Sequence, residues 1–442
     1  MNISLLLRDI AKRFSYRYLL HDGTRHLTYA TLIRRADSIS HFLYQMGCTP
    51  GSRVMVISNG RREYLEVLLG CVQAGIQFLP ASVRSSKESL LSTIQNIEPK
   101  IVFMEPQIAQ LLGDELKNVL PLNRSVVFGS FPGHIQYSRL TRKHESFVAE
   151  NIPPETPVIG MLMDGHIIES LTYYSLQLFL ERHSKDDAHD GCVMLCIPYL
   201  HIAYAVEIFT AAARGLQIVL LSHVTPKEIL KSAAKYKVTE LMMTPSLLRT
   251  VARDARFFGG DLHGVKTLRL GQCHLGPETA KNMKALFSPS CQVVKMMNYT
   301  YLFAKLEMSV GELDPEGNFL YLPINSVGRA AEGLEICAVD KQGIPLPAGK
   351  SGALSYRKTE DPGDWLPIGE TGYISPEGYV FLDCHNLPRH VEKPDCIAQV
   401  LPGADHPDEI AAANYTLPLD RFDSMILCAP VVLFIVYYLP VF

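Results

Sequence analysis

The chain has 442 residues, 47% of them hydrophobic and 20% charged, enough to bury a large core and to hold two or three subdomains. Its 42 Lys and Arg are nearly balanced by 45 Asp and Glu with no basic run, which excludes an electrostatic footprint for nucleic acid or another polyanion. The ten cysteines form no CxxC pair, and the apolar stretch Ile3 to Leu7 is too short for a secretory leader, so a reducing, intracellular and by default cytoplasmic compartment is expected.

Along the chain, Ala30, Ile33, Ala36, Ile39 and Leu43 recur at helical spacing, with Thr28 as N-cap and Gly47 past the end. "RVMVIS" from Arg53 to Ser58 follows as a strand. A second amphipathic helix carries Tyr64, Val67, Leu68, Cys71 and Val72, stops at Gly75 and gives way to "IQFLP". The cycle repeats with a helix bearing Leu90, Leu91, Ile94 and Ile97 and the strand "IVFM" from Ile101. "VMLCIP", "LQIVLL" and "VTELMMT" continue the series between Val193 and Thr244. Strands and helices alternating at this interval predict βαβ units and mostly parallel sheets covered on both faces.

After Val310 the texture changes to short strands separated by Gly, Pro and Asp turns, such as "DPEGNF", "DKQGIPLPAG" and "SPEGYVF", which predicts a small antiparallel β subdomain. The expected division is two α/β subdomains over 1–180 and 181–310, a β-rich subdomain over 311–385, a vestigial hinge over 386–413 and an apolar tail over 414–442. Within the tail, residues 424–442 run for nineteen residues without a charge, long enough to cross a membrane as a helix. Pro430, Pro440 and the many β-branched residues favour instead a buried strand or hairpin. A tail-anchored span, a buried strand and a replaced terminus all stay open.

Read together, these pieces resemble the adenylate-forming acyl-CoA synthetase and ligase superfamily. The resemblance rests on the opening from Leu27 to Pro80, with its "LTY" entry and "G..PG.RV" turn, and on "IPYLHIAYAVEIF" from Ile197, "VTELMMTPSLL" from Val238, "LRLGQCHL" from Leu268, "SVGRAAEGLEICAVDKQGIPLPAGKSGAL" from Ser326 and "WLPIGETGYISPEGYVF" from Trp365. It covers roughly residues 5 to 385. It implies a large N-terminal α/β domain of the acyl-CoA synthetase type. It also implies an enzyme that activates a small carboxylic acid with ATP and Mg²⁺ as an acyl-adenylate, then passes the acyl group to coenzyme A or another thiol.

The family's catalytic elements can be laid on this sequence one by one. The glycine- and hydroxyl-rich phosphate loop falls on Met163 to Glu169, where only Gly165 survives. Asp164 and Glu169 would repel a triphosphate, while His166 is either a phosphate donor or an ordinary surface histidine. In the adenine motif Tyr299 is kept, but Phe303 stands where the Mg²⁺ carboxylate is expected. Glu307 is either a substitute or a solvated turn residue. Glu370 replaces the family's ribose-binding Asp, Gly271 keeps the first glycine of the adenine strand end, and His201 matches the residue beside the acyl pocket or is simply core. Glu392 and Lys393 overlay the hinge pair, and the lid with its lysine is expected to be absent. Cys384, His385, His390 and Cys396 fit no standard zinc spacing. Adenylation is therefore expected to be weak or lost, with acyl, nucleotide or partner binding as the alternative role.

Overall fold

The computed structural model describes residues 2–23, 26–141, 146–149, 151–163, 165–183, 191–197, 199–221, 224–271, 277–296, 304–310, 326, 328–330, 333–359 and 363–383. Internal contacts divide the chain into two units, 1–223 and 224–442. The apolar tail from 424 lies outside the described residues; among those described, no helix is long and apolar enough to cross a membrane.

The first unit runs α1 (Ile3–Arg13), β1 (Tyr18–His21), β2 (His26–Thr28), α2 (Tyr29–Gln45), β3 (Arg53–Ile57), α3 (Arg62–Gln73), β4 (Gln77–Ala81), α4 (Lys87–Ile97), β5 (Ile101–Met104), α5 (Pro106–Leu112), β6 (Ser125–Val127), β7 (Ile135–Gln136), α6 (Tyr137–Leu140), β8 (Pro157–Met163), β9 (His166–Thr172), α7 (Tyr173–His183), β10 (Cys192–Cys196), α8 (Ile202–Ala213) and β11 (Gln217–Val219). One of its sheets has the order β7-β6-β5-β3-β4-β8-β9, parallel throughout except for the antiparallel edge strand β9. A second run pairs β10 with β11 and β11 with β1 in parallel, and closes with the antiparallel β1–β2 hairpin.

Local chemistry explains these boundaries. Thr28 caps α2 through Oγ1, which accepts the Thr31 N–H, and Gly47 follows the helix with φ +76°. Ser86 caps α4 in the same way. Val54, Met55, Val56 and Ile57 are all buried, because in a parallel sheet both faces of a central strand are covered. Met55, Ile57, Val102 and Met104 pack with Leu90 and Ile94 of α4 and Ile108 of α5. On the opposite face, Phe103 meets Phe42 of α2 and Phe78 meets Tyr64 of α3, edge to face.

The second unit contains α9 (Pro226–Tyr236), β12 (Glu240–Met243), α10 (Pro245–Phe258), β13 (Thr267–Gly271), α11 (Pro277–Leu286), β14 (Gln292–Met296), β15 (Ala304–Ser309), β16 (Gly328–Ala330), β17 (Leu334–Val339), β18 (Gly352–Lys358), β19 (Leu366–Ile374) and β20 (Tyr379–Leu382). Here β12, β13 and β14 are parallel, and β15, β16, β20, β19, β18 and β17 extend the ladder in antiparallel fashion. The antiparallel end is held by a small cluster of Ala338, Leu354 and Val380, with Ile336, Ile368 and Ile374 against it. The predicted change from parallel α/β to antiparallel β is observed within one continuous ladder, but it comes earlier than Val310: β15, from Ala304, already runs antiparallel to β14.

Candidate functional site

Where the sequence was searched for a phosphate loop, the chain makes a tight hairpin. Met163 of β8 pairs with His166 of β9, which leaves only two positions of the sequence between the paired strands. Gly165 has φ +76°, the conformation that a two-residue hairpin turn demands and that Asp-Gly supplies at low cost. The tip is pressed on α4: a Cβ on Gly165 would meet Asn96 Nδ2 at 3.2 Å and Thr93 Oγ1 at 3.4 Å. A phosphate cradle needs several successive N–H groups pointing into one concavity, and here the flanking residues are committed to the β8–β9 ladder instead. His166 is exposed at the start of β9. Asp164 lies outside the described residues, as does the side chain of Glu169.

Close to this hairpin in sequence, the N-terminus of α8 carries His201. Its Nδ1 accepts the Ala203 N–H at 3.0 Å, which makes His201 the N-cap of the helix. In the neutral ring the proton therefore sits on Nε2. Burial drives the imidazole pKa down to about 4, and the positive end of the helix dipole acts in the same direction. His201 is thus neutral at physiological pH, without the charge that would draw a triphosphate.

Aromatic rings surround this helix end. Tyr64 donates its hydroxyl hydrogen to the Tyr199 carbonyl at 2.5 Å, and its ring stands edge-on to Tyr199 and Tyr204 at 5.8 and 6.1 Å. Gly60 passes so close that a Cβ there would lie 3.2 Å from the Tyr204 hydroxyl. The chemistry of this corner is apolar with a few fixed polar atoms, the usual make-up of a pocket for a small organic ligand.

A third feature lies at the carboxyl ends of β3 and β5, which sequence reasoning missed. The connection leaving β3 runs to β4 on one side and that leaving β5 runs to β6 on the other, which makes this the crevice where open α/β sheets bind ligands. Side chains of the chain itself occupy it. Ser58 donates to Glu105 at 2.7 Å, Arg61 donates to Glu105 at 2.6 Å and to Glu63 at 2.8 Å, and the Arg61 guanidinium lies over Phe128 at 5.3 Å. Arg61 spends its charge on two carboxylates and a ring. The signal for this knot was the polar run "SNGRRE" directly after a buried strand.

The remaining candidates scatter over the second unit. Gly271 ends β13, opposite Met296 of β14. Glu307 lies within β15, paired with Val294, so it is a strand residue rather than the turn residue considered above. Glu370 lies within β19, and its side chain, like that of Glu307, is not described. Tyr299, Glu392 and Lys393 lie outside the described residues, as do Cys384, His385, His390 and Cys396. Among the described residues no group of three or more His, Cys, Asp and Glu gathers to hold a metal ion. Cys48, Cys71, Cys192, Cys196, Cys291 and Cys337 form no disulfide, and burial pushes each thiol upward, so none of these six is an activated nucleophile.

The family model described as "AMP-binding enzyme" matches residues 7–158 and 165–360, and the break between its two stretches falls on β8 and the hairpin turn. A curated relative, "4-coumarate--CoA ligase-like 9" of Arabidopsis thaliana, is 24% identical over 396 residues, spanning 83% of this chain and 68% of the relative. Among solved structures, the luciferase-like enzyme of the nonluminescent mealworm Zophobas morio superposes with a TM-score of 0.70 at 16% identity, covering 87% of this chain and 96% of that one. The anthranilate CoA ligase AuaEII in complex with anthranoyl-AMP superposes with a TM-score of 0.68 at 14% identity, covering 86% and 77%.

Proposed function

Because this chain belongs to the AMP-binding enzyme family, we propose that it is an acyl-ligase relative that binds a small carboxylic acid and forms the acyl-adenylate slowly or not at all. The observation that carries this reading is the two-residue turn at 164 and 165. Adenylation would draw on ATP and Mg²⁺ for the AMP group and for charge neutralisation, with coenzyme A or another thiol as acyl acceptor.

The residues at the turn do not fit a triphosphate. A ladder-bound hairpin tip packed on α4 offers no row of convergent N–H donors. Removing even one preorganised donor from such a site costs about 10² to 10³ in rate. The acid fares better. His201 is neutral at physiological pH and caps α8 beside the rings of Tyr64, Tyr199 and Tyr204, a setting that favours an apolar or aromatic acyl body over a charged one. A role in acid binding without turnover is the second reading, and it rests on this same neutral histidine.

The test is thermal unfolding of the purified chain with a panel of carboxylic acids, with and without millimolar Mg·ATP, followed by a pyrophosphate-release assay in the same tube. A bound acid at about 100 times its Kd adds about 2.7 kcal/mol, well within what a melting curve resolves. The expected result is stabilisation by one class of acid with little or no pyrophosphate. Brisk pyrophosphate release would overturn the reading of the turn. No response to any acid would overturn the acid-binding part.

A further inference from the structure

Far from the features above in sequence, the β1–β2 hairpin places two histidines side by side. His21 of β1 and His26 of β2 are direct cross-strand partners in the antiparallel ladder, so their side chains project from the same face. Their Nδ1 atoms stand 2.5 Å apart, and the rings meet edge to face at 4.6 Å between centroids. Tyr18 flanks both rings, at 5.8 Å from His21 and 5.3 Å from His26.

The second nitrogen of His21 is also committed. Its Nε2 lies 2.5 Å from Gln217 Oε1 on β11, the strand that pairs in parallel with β1. An amide oxygen can only accept, so Nε2 carries the proton and Nδ1 presents a lone pair toward His26. A carbonyl oxygen that fixes the tautomer through the far nitrogen is the support that metal-binding histidines characteristically have. His21 itself is buried and its carbonyl accepts the Leu220 N–H at 2.9 Å, so the backbone beneath the ring is fixed as well.

We infer that His21 and His26 form a two-imidazole site for a divalent first-row transition ion of the Zn²⁺, Ni²⁺ or Cu²⁺ kind, oriented by Gln217. Such ions favour imidazole, whereas Mg²⁺ and Ca²⁺ favour oxygen. In the metal-free pair His26 Nδ1–H donates to His21 Nδ1. On binding, that proton moves to His26 Nε2 at the exposed side, and both Nδ1 lone pairs turn to the ion. Tetrahedral Zn²⁺ with bonds of about 2.0–2.1 Å sets the two nitrogens about 3.3 Å apart. A small outward swing of the exposed His26 ring provides the difference, and water fills the remaining positions. The bound ion would fasten β1 to β2, with Gln217 tying the pair to β11.

The experiment uses the full chain, stripped of metal by chelator, in three forms: unaltered, His26→Asn and Gln217→Leu. Zn²⁺ binding is measured by calorimetry at pH 7.5, with Mg²⁺ as a control and with melting of the metal-free variants as a check on folding. The expected result is one preferred Zn²⁺ per chain that His26→Asn abolishes, that Gln217→Leu weakens by about 10- to 100-fold, and that Mg²⁺ does not imitate. Paramagnetic Ni²⁺ added to the unaltered chain should selectively broaden the ring resonances of His21 and His26, a readout that needs no variant. Equal Zn²⁺ binding by the unaltered chain and His26→Asn, or Ni²⁺ broadening spread over other histidines while these two stay sharp, would overturn the assignment.

Discussion

Gly70 of α3 lies so close to Ile39 of α2 that a Cβ on the glycine would stand 2.8 Å from both Cβ and Cγ2 of the isoleucine. The same imagined atom would be 2.9 Å from the Ala36 carbonyl oxygen, so relief requires the helices to move apart. Ser40 uses this proximity, donating to the Gly70 carbonyl at 2.8 Å while its oxygen accepts from Gln73 Nε2 at 2.7 Å. Gly70→Ala is expected to cost about 1–3 kcal/mol, the usual penalty for overpacking. Denaturant melts of Gly70→Ala, Ile39→Val and the double variant check it: Ile39→Val removes only Cδ1, which the new Cβ does not meet, so the double variant should recover little of the loss.

The pH dependence of stability should carry the mark of His201. Its folded pKa of about 4 lies below the ordinary value of 6.5, so between these limits the unfolded chain binds more protons than the folded one. Stability therefore rises with pH from about 4 to 6.5 and is lost on acidification through that window, by at most about 3 kcal/mol from this group. His201→Asn keeps an acceptor for the helix cap and removes the titration, so its stability curve should be flatter over this range. An unchanged slope in that variant would show that the acid sensitivity comes from elsewhere.

Tyr137 donates its hydroxyl hydrogen to Glu66 at 2.7 Å, inside a buried cluster where Arg35 and Arg62 also reach the carboxylate, at 3.0 and 3.4 Å. Burial raises the Glu66 pKa, and the Tyr137 hydrogen bond and the two arginines hold it back. Tyr137→Phe is expected to cost about 1.5–3 kcal/mol at neutral pH, as for a hydrogen bond to a charged group. Without the hydroxyl the folded-state pKa moves higher still, so the loss should shrink toward low pH, where Glu66 is protonated in both states. Urea melts of the variant and the unaltered chain at pH 5 and pH 8 measure this difference.

At the hairpin tip, Gly165→Ala should destabilise the chain by about 1–2 kcal/mol, because the left-handed backbone disfavours a Cβ and the space toward Asn96 and Thr93 is tight. Hydrogen exchange should show the loss first in β8 and β9. A variant as stable as the parent would mean that the turn has another conformation in solution.

Much of the first unit was legible in the sequence. The helix from Tyr29 with its Thr28 cap, the strands at Arg53, Gln77 and Ile101, and the helices between them all carry their own punctuation, and the structure places them within a residue or two of the expectation. These are segments in which local propensity and burial agree. At 164 and 165 the sequence was legible as a degenerate phosphate loop, while Asp-Gly between apolar runs, itself a hairpin signal, went unused. The knot of Ser58, Arg61, Glu63 and Glu105 left only the polar run "SNGRRE" as a trace, and the pair His21–His26 left none. Each depends on which strands become neighbours, and strand order is decided by long-range packing that no local spacing records.

The brevity of the connection between β8 and β9 also limits what substitution alone could rebuild there. Point substitutions can restore glycines and hydroxyls, yet none can lengthen a connection whose two ends are already cross-strand partners. Recovering a phosphate-binding loop here would take an in-frame insertion of several codons that left both flanking strands in register.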